Sequence, residues 1–122
     1  MSTESPNAQF LRESPFTCTV HRRADASEIQ LGGELDLAAK PTLEEALTTA
    51  LEPGPVKRVM VDFAAVTFAD STTLTWLLRA DVRVQASGGR LIAVVGPGRV
   101  RDLLRLTGVD DRLTVVAGSR RR

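Results

Sequence analysis

Cysteine and histidine are nearly missing from this chain, and each scarcity closes off a class of chemistry. Cys18 is the only cysteine, so no intrachain disulfide can form, and nothing points to an oxidising compartment. His21 is the only histidine. One His and one Cys cannot supply a soft-metal cluster, so no metal site and no cofactor is expected. A Cys–His dyad would have to join Cys18 to His21, three residues apart, and on a strand that spacing sends the side chains to opposite faces. The carboxylates at 36, 62, 70, 81, 102, 110 and 111 are scattered, with no spacing that marks an acid/base pair. The expectation is a protein without catalytic residues, not an enzyme.

Charge of one sign is also lacking. Sixteen basic residues against fifteen acidic ones leave a formal net charge of +1, which argues against sequence-independent nucleic-acid binding. Residues 1–7 are mostly polar and include Glu4 and Pro6, unlike the apolar core of a signal peptide. No apolar run approaches the roughly 18 residues needed to cross a bilayer. A cytoplasmic location without membrane insertion follows as an expectation. The length of 122 residues fits one domain, large enough to bury a core without staples.

What is present is an alternation of strand and helix patterns. Phe16, Cys18 and Val20 alternate with Thr17, Thr19 and His21, predicting a half-buried strand. A polar turn over 22–27 leads to Ile29 and Leu31, which completes an antiparallel hairpin. Leu43, Ala46, Leu47, Ala50 and Leu51 fall on one helical face, with Pro41 suited to the first turn and the 53–55 Pro-Gly-Pro run ending the helix. Val59, Met60, Val61 and Phe63 predict a short central strand covered on both faces. A second helix is expected over 72–86, with Leu74, Leu77, Leu78 and Val82 inward and Gly88-Gly89 closing it. Leu91 to Val95 predict another buried strand. A third helix follows Gly96-Pro97-Gly98, with Val100, Leu103, Leu104 and Thr107 inward and Gly108 at its end, and a last strand covers 113–116. The order β-β-α-β-α-β-α-β implies an α/β fold, a mainly parallel sheet with an antiparallel edge hairpin.

Few motifs carry chemistry. Gly96-Pro97-Gly98 lacks the Lys-Ser/Thr ending of a P-loop and the G-x-G-x-x-G spacing, and a strand-to-helix turn explains it. Asp70-Ser71 opens a helix after a buried strand. Either residue suits an N-cap there. A hydroxyl at that point also sits in a field that favours negative charge, where a phosphate would be tolerated by the helix and would disturb a docked partner. Trp76 lies off the leucine stripe and is either an exposed anchor or a buried side chain.

Taken in order, Gly33-Glu34-Leu35-Asp36, Val61-Asp62-Phe63, Phe68-Ala69-Asp70-Ser71-Thr72, Gly88-Gly89 and Leu103 to Gly108 resemble the STAS domain of bacterial anti-sigma factor antagonists. The resemblance covers about residues 14–117, leaving 1–13 as a flexible tail and 118–122 as a basic tail. It implies a small mixed sheet flanked by helices. It implies that Ser71 is phosphorylated by a cognate anti-sigma factor, itself a serine kinase, and that a serine phosphatase resets the switch. The unphosphorylated form would bind the anti-sigma factor and free the sigma factor for transcription. Asp36, Asp70, Ser71, Thr72 and Thr73 would line one partner-binding edge. Asp36 also suits a structural role at the start of the first helix. The chain departs from the family in having Thr73-Leu74-Thr75 where Gly-Leu-Gly is common. That departure keeps open a non-switching STAS scaffold or regulatory subunit in a signalling or transport assembly. The α/β order keeps open a small-ligand binder at the same sheet end.

Overall fold

A computed structural model describes residues 15–52 and 54–118. The proposed tail at 1–13, residue 14, Pro53 and all of the proposed 118–122 tail except Gly118 lie outside the described residues. The elements are β1 (Phe16–Arg23), β2 (Ala26–Leu35), a 3₁₀ turn (Leu37–Ala39), α1 (Lys40–Leu51), β3 (Arg58–Ala69), α2 (Ser71–Ala86), β4 (Arg90–Val95), α3 (Arg99–Thr107), a second 3₁₀ turn (Val109–Asp111) and β5 (Thr114–Ala117). The five strands form one sheet in the order β1-β2-β3-β4-β5. β1 and β2 are antiparallel, and every other pair is parallel. The predicted element order and sheet type are those observed.

The hairpin is tighter than the polar composition of 22–27 suggests. β1 runs to Arg23 and β2 starts at Ala26, so only Ala24 and Asp25 form the turn. Arg22 and Ser27 are drawn into the ladder because both serve the end of α1. Ser27 Oγ donates to the Ala50 carbonyl at 2.8 Å, and Arg22 donates to Ala50 and Pro55 carbonyls at 3.4 Å each. The Ala50 carbonyl would otherwise be orphaned at the helix C-terminus, and the Pro55 contact ties down the connection that follows.

The sheet buries one face. Cys18, Ile29, Leu31, Val59, Val61, Leu91 and Ala93 are buried, and the ladder registers place them on the same side. Burial pushes the Cys18 thiol up to about 12, helped by the nearby Glu45 carboxylate, so this cysteine is a packing residue and not a nucleophile. His21 is exposed on the other face of β1. Among the described residues, the expectation that the central strand is covered on both faces is not met. Met60 and Asp62 on β3 and Ile92 and Val94 on β4 are only half-buried. A nearly unbroken apolar run arises here because β-branched residues suit a strand on either face.

The helices show similar exchanges. In α2 the buried residues are Thr73, Leu74, Trp76, Leu77, Ala80 and Val84, while Leu78 is half-buried and Val82 is 66% exposed. The contact stripe is rotated from the leucine stripe because it must meet α1 as well as the sheet. In α3, Val100 and Leu104 are buried and Leu103 is half-buried. Thr107 is exposed instead of inward, its hydroxyl donating back to the Leu103 carbonyl at 2.7 Å. Gly108, with φ 77°, ends α3 as its spacing predicts.

Candidate functional site

β3 is longer than its apolar run. It continues past Phe63 to Ala69, where the sequence suggests a loop. Two register shifts explain the missing periodicity. Between Asp62 and Ala65, β3 carries one residue more than β2 does between Gln30 and Gly32. A second extra residue separates Val66 from Phe68, opposite Gly33 and Glu34. Each extra residue inverts the in/out alternation and bends the strand. Asp62 steadies the first irregularity, its carboxylate accepting the Ala64 N–H at 2.8 Å.

The consequence is register at the end of the pair. Leu35 faces Ala69, so Asp36 and Asp70 leave the sheet side by side at the carboxyl end of two parallel strands. Such an end is where open α/β sheets present binding groups. The two aspartates are built alike. Asp36 has φ −132° and ψ −163°, and its carboxylate accepts the Ala38 N–H at 3.0 Å. Asp70 has φ −119° and ψ −170°, and its carboxylate accepts the Thr72 N–H at 2.9 Å. Each is the N-cap of the turn or helix that follows.

Ser71 is therefore not the cap. It is the first residue of α2, exposed, and its hydroxyl makes no hydrogen bond among the described residues. Thr72 is half-buried beside it. Thr73 turns the other way. It is 1% exposed, and its hydroxyl donates to the Leu35 carbonyl at 3.4 Å. The expectation that Thr73 offers its side chain to a partner is thus corrected: helical geometry points the third residue of α2 at the sheet. It ties the Asp70 loop to the Asp36 loop from inside. Trp76 is the buried alternative, 4% exposed, with Nε1 donating to the Leu43 carbonyl of α1 at 3.0 Å.

Between the two capped starts lies a shallow groove of about 200 Å³. Ser71, Thr75 and Arg79 line one wall; Leu37, Lys40 and Glu44 line the other. Leu37 is 67% exposed, an apolar side chain held in solvent next to Ser71. Leu37, Lys40 and Arg79 escape a motif-based reading. The signal for Arg79 is the i, i+4, i+8 spacing of Ser71, Thr75 and Arg79, which puts the three on one line of α2; Leu37 and Lys40 have no such signal. Asp36 and Asp70 are brought together as expected, with Ser71 beside them. No group of three His, Cys, Asp or Glu among the described residues could hold a metal ion. No described helix is long and apolar enough to cross a membrane.

Comparison with known proteins places this geometry. The family described as "Mlab, STAS domain" matches residues 18–117. The anti-sigma-B factor antagonist of Staphylococcus epidermidis is 30% identical over 95 residues, which cover 78% of this chain and 87% of that protein. The crystal structure of an anti-sigma factor antagonist from Mycobacterium paratuberculosis superposes with a TM-score of 0.73 at 25% identity, over 82% of this chain and 84% of the other. The anti-sigma factor antagonist SpoIIAA in its unphosphorylated form shares the fold, with a TM-score of 0.73 at 22% identity over 84% and 89% of the two chains. The overall fold is thus shared with these proteins, and this chain belongs to the STAS domain family.

Proposed function

We propose that this chain is an anti-sigma factor antagonist switched at Ser71. In its unphosphorylated state it binds an anti-sigma factor that is a serine kinase, and so releases a sigma factor. Transfer of a phosphoryl group to Ser71 ends the binding, and a serine phosphatase restores it. The observation that carries the reading is the division of labour at the start of α2. Asp70 supplies the cap, which leaves the Ser71 hydroxyl exposed and without a hydrogen-bond partner among the described residues.

The electrostatics support a switch. Phosphorylation adds about −1.5 to −2 charges, which the start of a helix accommodates. That charge would arrive where Asp36 and Asp70 already stand. A partner surface fitted to a neutral hydroxyl there would meet an abrupt excess of negative charge, and desolvating it would cost binding.

The names of the relatives support the antagonist role, and the reference of one of them to an unphosphorylated form supports a modified counterpart. A second reading, a scaffold or regulatory subunit that does not switch, draws on Thr73. That buried side chain stands where glycine is common in the family and stiffens the junction beneath Ser71. Binding of the wild type, Ser71→Ala and Ser71→Asp to the purified anti-sigma kinases of the same cell, with and without ATP, separates the two. The switch requires that wild type and Ser71→Ala bind one kinase, that Ser71→Asp does not, and that ATP labels Ser71 alone. Equal binding by all three without labelling gives the scaffold.

A further inference from the structure

The solvent face of α2 carries a feature that the fold uses only at its edge. Leu78 and Val82, four residues apart, border a shallow, open hollow formed by α2 alone. Arg79 and Arg83, also four apart, border the same hollow. The core side of the helix is packed through Leu74, Leu77, Ala80 and Val84, with half-buried Leu78 against its edge, while Val82 takes no part in the core. Val82, at 66% exposure, holds an apolar side chain in water.

Two observations say what would cover this strip. The first is continuity: Arg79 borders the Ser71 groove as well as this hollow, so the strip extends the groove along the helix. The second is charge. Asp81 is the only carboxylate in α2; it is half-buried and accepts a hydrogen bond from Gln85 Nε2 at 2.8 Å. It also borders a different hollow, between α2 and the start of β4. The strip itself is apolar at its centre and basic at its flank. A second copy docked about a twofold axis would bring this patch, arginines included, against its own image, which like-charge repulsion opposes.

We infer that this face of α2 is a docking strip for an acidic segment of the anti-sigma factor, with apolar side chains over Leu78 and Val82 and carboxylates at Arg79 and Arg83. Arginine is among the residues enriched as interface anchors, and Leu78 and Val82 supply apolar area beside it. The inference rests on the antagonist reading and extends it: the hydroxyl at Ser71 sets whether the partner binds, and the strip sets which partner binds.

The experiment compares the wild type with Arg79→Glu/Arg83→Glu and with Val82→Asp, using the same purified anti-sigma kinases. All three residues lie on the surface, and Trp76 fluorescence during urea unfolding verifies that the variants fold. Each variant is expected to raise Kd at least about ten-fold. The double variant is also expected to flatten the salt dependence of binding, which a merely structural role would not do. Unchanged affinity in both variants overturns the strip and leaves the Ser71 reading standing, since Ser71→Asp is scored in the same assay. A photo-crosslinking residue installed at position 82 in cells gives an independent result. An adduct on an acidic peptide of an anti-sigma factor supports the strip. An adduct on another copy of this chain, on lipid or on no protein overturns it.

Discussion

Removing the Asp70 side chain should destabilise the fold, and removing the Ser71 hydroxyl should not. In Asp70→Ala the Thr72 N–H loses the acceptor it holds at 2.9 Å. Loss of an N-cap costs about 1 kcal/mol, within a range of roughly 0.5–2. Loss of a negative charge at the positive end of the helix adds about 0.3–1 kcal/mol. The sum is about 1–2 kcal/mol, or a urea midpoint lower by roughly 0.5–1 M at an m-value typical of small domains. Asp70→Asn keeps the cap and loses only the charge, so it should fall between the wild type and Asp70→Ala. Ser71→Ala deletes an exposed hydroxyl with no partner among the described residues and installs the better helix former, so it should stay within about 0.5 kcal/mol of the wild type. The assay is urea unfolding followed by fluorescence. Trp76 is the only tryptophan, the chain has no tyrosine, and Trp76 is buried beside the groove, so the signal reports on this region. If Ser71→Ala loses as much stability as Asp70→Ala, Ser71 is the working cap and the argument for a free acceptor hydroxyl fails.

Gly33→Ala should cost at least about 2 kcal/mol, because φ is 79° there and a Cβ would collide with the Pro15 carbonyl oxygen. Gly88→Ala, at φ 88° with open space around it, should cost only the conformational part, about 1 kcal/mol, and the difference between the two urea midpoints measures the collision. The Cys18 thiol, raised from 9.0 to about 12, gives a pH-dependent contribution of definite sign. Between those values the unfolded chain has released the thiol proton and the folded chain has kept it. The contribution is therefore complete below about pH 9 and is lost as pH rises toward about 12. Cys18→Ala should show a shallower fall in stability over that window, and identical slopes for the two proteins would refute the assignment.

The sequence alone determined the order of elements, the parallel sheet with its antiparallel edge and the position of the Asp70-Ser71 pair. These follow from local quantities: period-two and period-3.6 burial, proline and glycine at helix ends, and polar caps. Tertiary structure decided the length of β3, since two extra residues scramble its alternation and only pairing with β2 reveals it as strand. It decided which threonine is which. Ser71, Thr72, Thr73 and Thr75 look interchangeable in sequence, yet the packing angle of α2 sends Thr73 inside to Leu35 and leaves Ser71 and Thr75 at the groove. It decided that Trp76 serves α1 through the Leu43 carbonyl and that Val82 faces solvent, because a helix wedged between a sheet and another helix buries a rotated stripe. Above all it placed Asp36 beside Asp70. Residues 34 apart in sequence have no local signal joining them; the register of two parallel strands, set by side chains along their whole length, brings them together.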